Sequence, residues 1–161
     1  MHLKNLNKIT LTGIFLSIAF LLYIISKFFH IAPNIIPLLL PIFIPLLNSL
    51  YYSIIFTVGF LFLNLFIGLH IQALPLIILF FLPLISFFYF KNNLYSIITS
   101  IFSITIFLVF FDFLIPEIII ENKIIFILSI LSYLIGIHIY NILIIELSAK
   151  LKKYMDKHLE G

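Results

Sequence analysis

The chain carries very little charge and none of the sulfur chemistry that cysteine provides. Its 161 residues include no cysteine, no tryptophan and no arginine, and only 9% of them are charged. Without cysteine there are no disulfides, no thiolate catalysis and no thiolate metal site. A soluble domain has about a quarter of its residues charged, which keeps its surface wet. The scarcity of charge therefore excludes a cytosolic enzyme.

Apolar residues take the place of the missing charge. The chain is 64% hydrophobic with a mean hydropathy of +1.32, and no Lys, Arg, Asp or Glu occurs between Lys27 and Lys91. A hydrocarbon layer about 30 Å thick takes about 20 apolar residues per helical crossing. We therefore predict an all-α fold: a polytopic integral membrane protein built as a compact bundle of six transmembrane helices, with the lipid bilayer as its main partner.

Polar and proline-containing breaks give the bounds of the predicted spans. We predict one transmembrane domain, 1–161, with a basic cytoplasmic tail at 150–161. The first apolar run is too long for a signal-peptide core and ends at Lys27 without a small-residue cleavage site, so we interpret it as a retained span. The predicted spans are 9–29, 35–48, 50–69, 73–90, 94–115 and 124–147.

The second span is predicted to be irregular because proline recurs at every fourth position. Each internal proline removes a backbone hydrogen bond and pushes the preceding residue out of the helical region. In lipid, such backbone persists only where neighbouring protein covers it. The prolines concerned are Pro33, Pro37, Pro41 and Pro45.

The distribution of lysine predicts the orientation of the chain. With six spans and the N-terminus inside, only Lys27 and Lys123 face outward. Cytoplasmic segments of membrane proteins are enriched in Lys and Arg, so both termini are predicted to be cytoplasmic. A re-entrant second span would instead leave one lysine-bearing terminus outside. The lysines predicted to be inside are Lys4, Lys8, Lys91, Lys150, Lys152, Lys153 and Lys157.

Polar residues in the later spans are functional candidates because an unpaired polar group in lipid costs free energy. Asp112 lies about one turn from the outer end of the fifth span and is either solvated, paired with Lys123, or an intramembrane acid. His138 and Asn141 are three residues apart and share a helix face. They form either a small polar pocket or hydrogen bonds between helices.

Small residues mark places where helices are expected to approach closely. Asn64 lies in the third span between Gly59 and Gly68, a pattern that favours close packing with a hydrogen bond between helices. Gly13 and Ser17 in the first span are spaced by four residues and form a face that fits a partner helix. We therefore add Gly59, Asn64 and Gly68 to the candidate partner or pocket residues.

Known catalytic and metal-binding motifs do not occur. The five histidines fall on different segments without HExxH spacing, and Asp112 has no second Asp at lipid depth. There is no G-x-S-x-G elbow and no phosphate-binding glycine loop. We therefore expect no enzymatic activity, no catalytic residue, no cofactor, no metal site and no nucleic-acid partner.

Three groups of residues form a recognisable layout: Ile31-Ala32-Pro33-Asn34-Ile35-Ile36, Gly59-Phe60, and Asn64, Gly68 and Ala73-Leu74. The last predicted span contains Asn141 and is followed by a short basic C-terminus. Over the whole chain this layout resembles MreD, the rod-shape-determining membrane protein family of bacterial cell-wall elongation, which it also matches in length and in the number of spans. Asn64 stands where the family usually has Asp.

The MreD resemblance implies a non-catalytic scaffold in the bacterial cytoplasmic (inner) membrane. Such a protein binds a single-span partner, MreC, and through it the MreB filament, RodA and a penicillin-binding transpeptidase. It is expected to expose a lipid-depth groove or a flat helix face and to have no closed polar cavity.

The first span contains the stretch Leu11-Thr12-Gly13-Ile14-Phe15-Leu16-Ser17-Ile18-Ala19. This stretch is similar to the first span of S components, the substrate-binding subunits of energy-coupling-factor vitamin transporters. This alternative predicts a small-molecule cavity on the outer side, walled by the third to sixth spans and lined by His138, Asn141 and Asp112. The absence of Trp and Arg and the presence of only five Gly argue against a vitamin pocket.

Overall fold

A computed structural model describes residues 8–28 and 35–159, and throughout these ranges the chain is helical apart from short connections. No strand occurs in the described ranges, so the predicted all-α class is confirmed. The helices are α1 (Lys8–Phe28), α2 (Ile35–Leu39), α3 (Phe43–Leu47), α4 (Leu50–Phe66), α5 (His70–Leu76), α6 (Leu82–Phe90), α7 (Asn93–Phe110), α8 (Glu117–Glu121) and α9 (Lys123–Leu159).

Four helical stretches are long and apolar enough to cross a membrane: Lys8–Phe28, His70–Phe90, Asn93–Phe110 and Lys123–Lys157. Two further apolar stretches, Ile35–Leu47 and Leu50–Phe66, are shorter. Several long apolar helices of this kind are what a membrane bundle requires. The fold is therefore compatible with a membrane bundle.

The stretch Ile35–Leu47, called here the proline segment, is irregular, as its prolines predict. A 3₁₀ turn at Leu40–Ile42 interrupts it between α2 and α3. Asn48 then ends α3 in the left-handed conformation, with φ of 47°. The tighter 3₁₀ pattern follows from the prolines, which lack the amide that an α-helix needs at their positions.

The proline segment lies inside the bundle rather than on its surface. It contacts α1, α4, α6 and α9. Leu40 and Ile44 are almost completely buried, and Pro41 is among the fully buried side chains. Neighbouring helices therefore cover the irregular backbone, which is the condition under which such backbone persists in lipid.

Stacked aromatic rings fill the core between α1, α4 and the long helix His70–Phe90. Phe81 stacks on Phe56 and Phe60 with ring centroids 6.1 and 5.7 Å apart. Tyr23 meets Phe60 edge-on at 5.3 Å. All four rings are buried. Edge-on and offset-stacked pairs are the favoured geometries for buried aromatic rings.

The helix His70–Phe90 contains a π-helical stretch at Ile77–Phe81, where Leu82 N donates to Ile77 O five residues back. Pro75 and Pro83 flank this stretch. Proline is a common cause of such departures from α-helical geometry because its ring carries no amide hydrogen. The resulting shift in register rotates α6 relative to α5.

α7 and α9 form the outer part of the bundle. α7 turns its serines toward the interior, where Ser96, Ser100 and Ser103 are buried, and Thr99 Oγ1 donates to Ser86 Oγ of α6 at 2.9 Å. The opposite faces of both helices are apolar and exposed. Their composition suits contact with lipid or with another apolar helix.

The connection between α7 and α9 begins earlier than the sequence predicts. α7 ends at Phe110, whereas the fifth span was expected to reach residue 115. A 3₁₀ turn at Asp112–Leu114 follows because Asp112 accepts a hydrogen bond from Phe113 N at 2.8 Å and thereby competes with the helix. Pro116 then prevents the helix from resuming before Glu117.

α9 is much longer than a single crossing requires. Its 37 residues measure about 55 Å, against a hydrocarbon thickness of about 30 Å. The predicted basic tail continues this helix rather than forming a separate element. Its lysines accordingly extend beyond the apolar part of the helix.

Candidate functional site

Tyrosine hydroxyls donate to backbone carbonyls beside the interruptions in the proline-containing helices. Tyr133 Oη donates to Leu79 O at 2.9 Å, and Leu79 is the residue whose carbonyl would receive the amide of Pro83 in an α-helix. Tyr140 Oη donates to Leu38 O at 2.6 Å at the start of the 3₁₀ turn. Each of these bonds joins α9 to an interrupted helix and gives a backbone carbonyl a partner within the protein, which irregular backbone in lipid requires.

A cluster of hydrogen bonds lies at the C-terminal end of the proline segment and involves Tyr89, Ser53 and Ser49. Tyr89 Oη lies 3.3 Å from Ile44 O and 2.8 Å from Ser53 Oγ. Ser53 Oγ lies 3.3 Å from the same carbonyl, and Ser49 N donates to Tyr89 Oη at 2.8 Å. Because Asn48 N bonds to Pro45 O, Ile44 O has lost its α-helical partner and these hydroxyls replace it.

The three candidate residues of the third predicted span have different environments. Asn64 is fully buried on α4; its Nδ2 donates to Phe60 O at 2.8 Å, and its Oδ1 has no partner in the described part of the chain. Gly59 faces α1, where an added Cβ would lie 2.8 Å from Leu16 Cδ2. Gly68 follows α4 with φ of +75° and has no heavy atom within 4 Å of an added Cβ. Gly59 is thus a packing residue, whereas Gly68 is a turn residue.

The other three candidates do not come together into one pocket. Asn141 is fully buried, and both polar atoms of its amide lack a partner among the described residues. His138 is exposed and meets Phe87 edge-on at 5.3 Å. Asp112 is exposed in the connection after α7. Asn141 is therefore buried in the bundle, whereas His138, three residues earlier on α9, is exposed beside Phe87 of α6.

A cavity of about 320 Å³ lies where α1 ends and α5 begins. Its walls come from α1, the proline segment and the helix His70–Phe90. Among its lining residues Gln72 is exposed and Lys27 is half-buried, and the others apart from Tyr23 are apolar. Residues lining it include Tyr23, Lys27, Pro37, Gln72, Leu76 and Phe80.

Tyr23 is one of the lining residues of this cavity, but its hydroxyl is buried. The residue is 1% exposed, and its hydroxyl has no hydrogen-bond partner in the described ranges. Lys27, one helical turn further along α1, places its Nζ 5.6 Å from the centroid of the Tyr23 ring. This cation–π contact holds the Lys27 ammonium against the Tyr23 ring.

Sequence reasoning did not find this cavity. In the sequence, Lys27 indicates the end of the first span and its orientation, and Tyr23 does not stand out from the other aromatic residues. The four-residue spacing of Tyr23 and Lys27, which places both on one helix face, is the signal that was available. Gln72 was used only to end a span.

No cluster of three or more His, Asp or Glu side chains suited to a metal ion occurs within residues 8–28 and 35–159. The Pro33-Asn34 part of the motif that resembles MreD lies outside the described residues.

Comparisons of the chain with protein-family models, curated proteins and solved structures find no match. The fold and its residues therefore carry the functional argument.

Proposed function

We propose that the protein is a non-catalytic subunit of the bacterial cytoplasmic membrane that crosses the bilayer six times and binds a partner membrane protein through α1. The MreD resemblance gives the partner its identity. The chain would then act as a scaffold of the cell-elongation complex that builds sidewall peptidoglycan and would bind a single-span protein such as MreC.

The observation that carries this proposal is the uncovered small-residue face of α1. Gly13 and Ser17 are both exposed, and no heavy atom lies within 4 Å of a Cβ added at Gly13. Ser17 Oγ donates to Gly13 O at 2.9 Å, so the face has no unsatisfied hydroxyl. Gly59, by contrast, already packs on another helix. Small residues four apart let a second helix approach closely, and here that position is open.

The distribution of polar residues also favours a scaffold over vitamin capture. Asp112 and His138 are exposed and Asn141 is buried in helix packing, so the residues expected to line a vitamin pocket do not meet. Small-molecule sites need several polar groups converging on one concave space. Vitamin capture as an S component therefore remains the second candidate, favoured only by the separate cavity beside Lys27.

Affinity purification from detergent-solubilised membranes tests the proposal. The chain is expected to retain an MreC-like single-span protein at near-equal amounts, and Gly13→Ile is expected to reduce that amount at least tenfold because the side chain blocks close approach. Gly136→Ile is the matched control, since Gly136 is also exposed with no heavy atom within 4 Å of an added Cβ.

Two results would contradict the scaffold function. Recovery of a transport ATPase module in place of an MreC-like protein would favour the S-component candidate. Depletion of the protein in a rod-shaped host is expected to give round cells, so unchanged rods would remove the proposed role in cell elongation.

A further inference from the structure

An open groove of about 430 Å³ lies between the proline segment and the C-terminal part of α9. Ile42 of the 3₁₀ turn lies on one side of it, and four residues of α9 lie on the other. Their spacing along the helix places these four on one face. They are Leu147, Lys150, Leu151 and Tyr154. The described lining is therefore aliphatic apart from one lysine and one tyrosine.

The groove lies where the surface of α9 changes from apolar to basic. Exposed aliphatic side chains continue along this helix as far as Leu151, and exposed lysines follow from Lys150 onward. Lys150 lies about 40 Å along the helix from Lys123. A bilayer measures about 40–45 Å when its headgroup regions are included. With Lys123 at one surface, Lys150 therefore lies at the depth of the headgroups of the other.

The charge around the groove favours an anionic partner. From Leu147 to Lys157, α9 contains four lysines and one acidic residue, Asp156. Glu146 lies one turn before Lys150 but is not among the described residues that line the groove. Lysines close to a membrane surface attract anionic phospholipids, and tyrosine is enriched at the same depth. The excess of positive charge thus matches a negatively charged headgroup.

The apolar part of the groove matches the other half of a phospholipid. Ile42, Leu147 and Leu151 offer the aliphatic surface that an acyl chain covers. We propose that this groove binds an anionic phospholipid, with an acyl chain against these three residues and the headgroup phosphate at Lys150. The proposal rests on the proposed location of the chain in the bilayer and does not depend on the partner of α1.

A single introduced tryptophan can report lipid binding at the groove because the chain contains no tryptophan of its own. Leu147→Trp places the reporter in the groove, and Leu143→Trp places it one turn earlier on α9, outside the described lining. Both leucines are exposed, so neither change enlarges a core residue. The full chain is reconstituted in phosphatidylcholine nanodiscs that contain increasing fractions of brominated phosphatidylglycerol or brominated phosphatidylcholine, and quenching of the tryptophan is measured.

The proposal predicts a preference for phosphatidylglycerol that is confined to the groove. At position 147, quenching is expected to show about fivefold tighter binding of phosphatidylglycerol than of phosphatidylcholine, the contribution of about one lysine near the surface. At position 143, the two lipids are expected to quench equally. Equal quenching by the two lipids at position 147 would overturn the proposal. Absence of quenching there by either lipid would assign the groove to another occupant and would overturn it as well.

Two lysine variants of the Leu147→Trp protein locate the headgroup. Lys150→Gln is expected to abolish the preference for phosphatidylglycerol. Lys152→Gln is the matched control, because it removes the same charge from an exposed position on a different face of the same helix. Both variants are expected to keep the monodisperse peak in size-exclusion chromatography. Equal loss of the preference in both variants would show diffuse attraction to the basic tail and overturn the site, as would an unchanged preference in Lys150→Gln.

The result is separable from the proposed function. Failure of the chain to enter nanodiscs would contradict the proposed location in the bilayer and, with it, this site. Equal binding of the two lipids by a chain that does enter them would overturn this site alone. Loss of an MreC-like partner in the purification experiment would leave the lipid preference unaffected.

Discussion

Individual glycines in this bundle have opposite roles, and only the packing around each one distinguishes them. Gly59 allows α1 and α4 to touch, because a Cβ there would lie 2.8 Å from Leu16 Cδ2. Gly68 is needed for its φ of +75°, a conformation that other residues rarely adopt. Gly136 lies on the outer face of α9 with no heavy atom within 4 Å of an added Cβ.

Enlarging Gly59 is expected to destabilise the bundle. Gly59→Ile forces Leu16 away from α4, and overpacking of this kind costs about 1–3 kcal/mol. The measurement is the temperature at which the detergent-solubilised protein loses its monodisperse peak in size-exclusion chromatography. Gly136→Ile is expected to leave that temperature nearly unchanged. An equal loss in both variants would contradict the assignment of Gly59 as the contact residue.

The polar candidates show how far single residues can be predicted from sequence. Asn64 and Asn141 are indeed buried, because an amide in an apolar helix is unfavourable against lipid. His138 is exposed although it lies only three residues from Asn141. Helical spacing gives the angle between two side chains but not the rotation of the helix in the bundle, and that rotation depends on the packing of α9.

At the scale of elements, a tyrosine of one helix donates a hydrogen bond to a carbonyl that a proline of another helix leaves without an amide donor. Pro83 leaves Leu79 O without its α-helical donor, and Tyr133 of α9 supplies one at 2.9 Å. The bond connects the π-helical stretch Ile77–Phe81 to the outermost long helix. An isolated proline is therefore accommodated by a side chain far away in sequence.

A double-mutant cycle tests this pairing. Tyr133→Phe is expected to cost about 1 kcal/mol, a typical value for one hydrogen bond between membrane helices. In a Pro83→Ala background the same change should cost much less, because an amide at position 83 can bond to Leu79 O itself. Thermal denaturation of the four proteins measures the coupling. Equal cost in the two backgrounds would show that Tyr133 does not compensate for the proline.

The elements were predictable to different extents for physical reasons. Four prolines at regular spacing are a strong local signal, and the 3₁₀ turn at Leu40–Ile42 appears where they indicate a break. The sequence does not predict the π-helical stretch. It has one proline on each side, and a lone proline is compatible either with a kink in the helix or with a change in its hydrogen-bond register. The end of α7 depends on the hydrogen bond that Asp112 Oδ1 accepts from Phe113 N. This bond competes with the helical hydrogen bonds only in the neighbourhood of Asp112.

At the scale of the whole molecule, composition predicts the class of fold but not the number of crossings. A chain with so little charge has to be helical and apolar in lipid, and the structure is an all-helical bundle with several long apolar helices. The proline segment is the shortest of the six predicted crossings: its 13-residue range Ile35–Leu47 would measure about 20 Å as a regular helix, less than the hydrocarbon thickness. Whether it crosses decides on which side the C-terminus lies.

The absence of native cysteine makes the orientation directly measurable, because each introduced thiol is the only one in the chain. Single variants Tyr51→Cys, Lys91→Cys, Glu121→Cys and Lys157→Cys place a thiol at exposed positions along the bundle. Labelling with a membrane-impermeant maleimide, before and after permeabilisation of the cells, reports the side of each. Six crossings predict labelling of Glu121→Cys in intact cells and of the other three only after permeabilisation. Labelling of Lys157→Cys from outside would contradict the account.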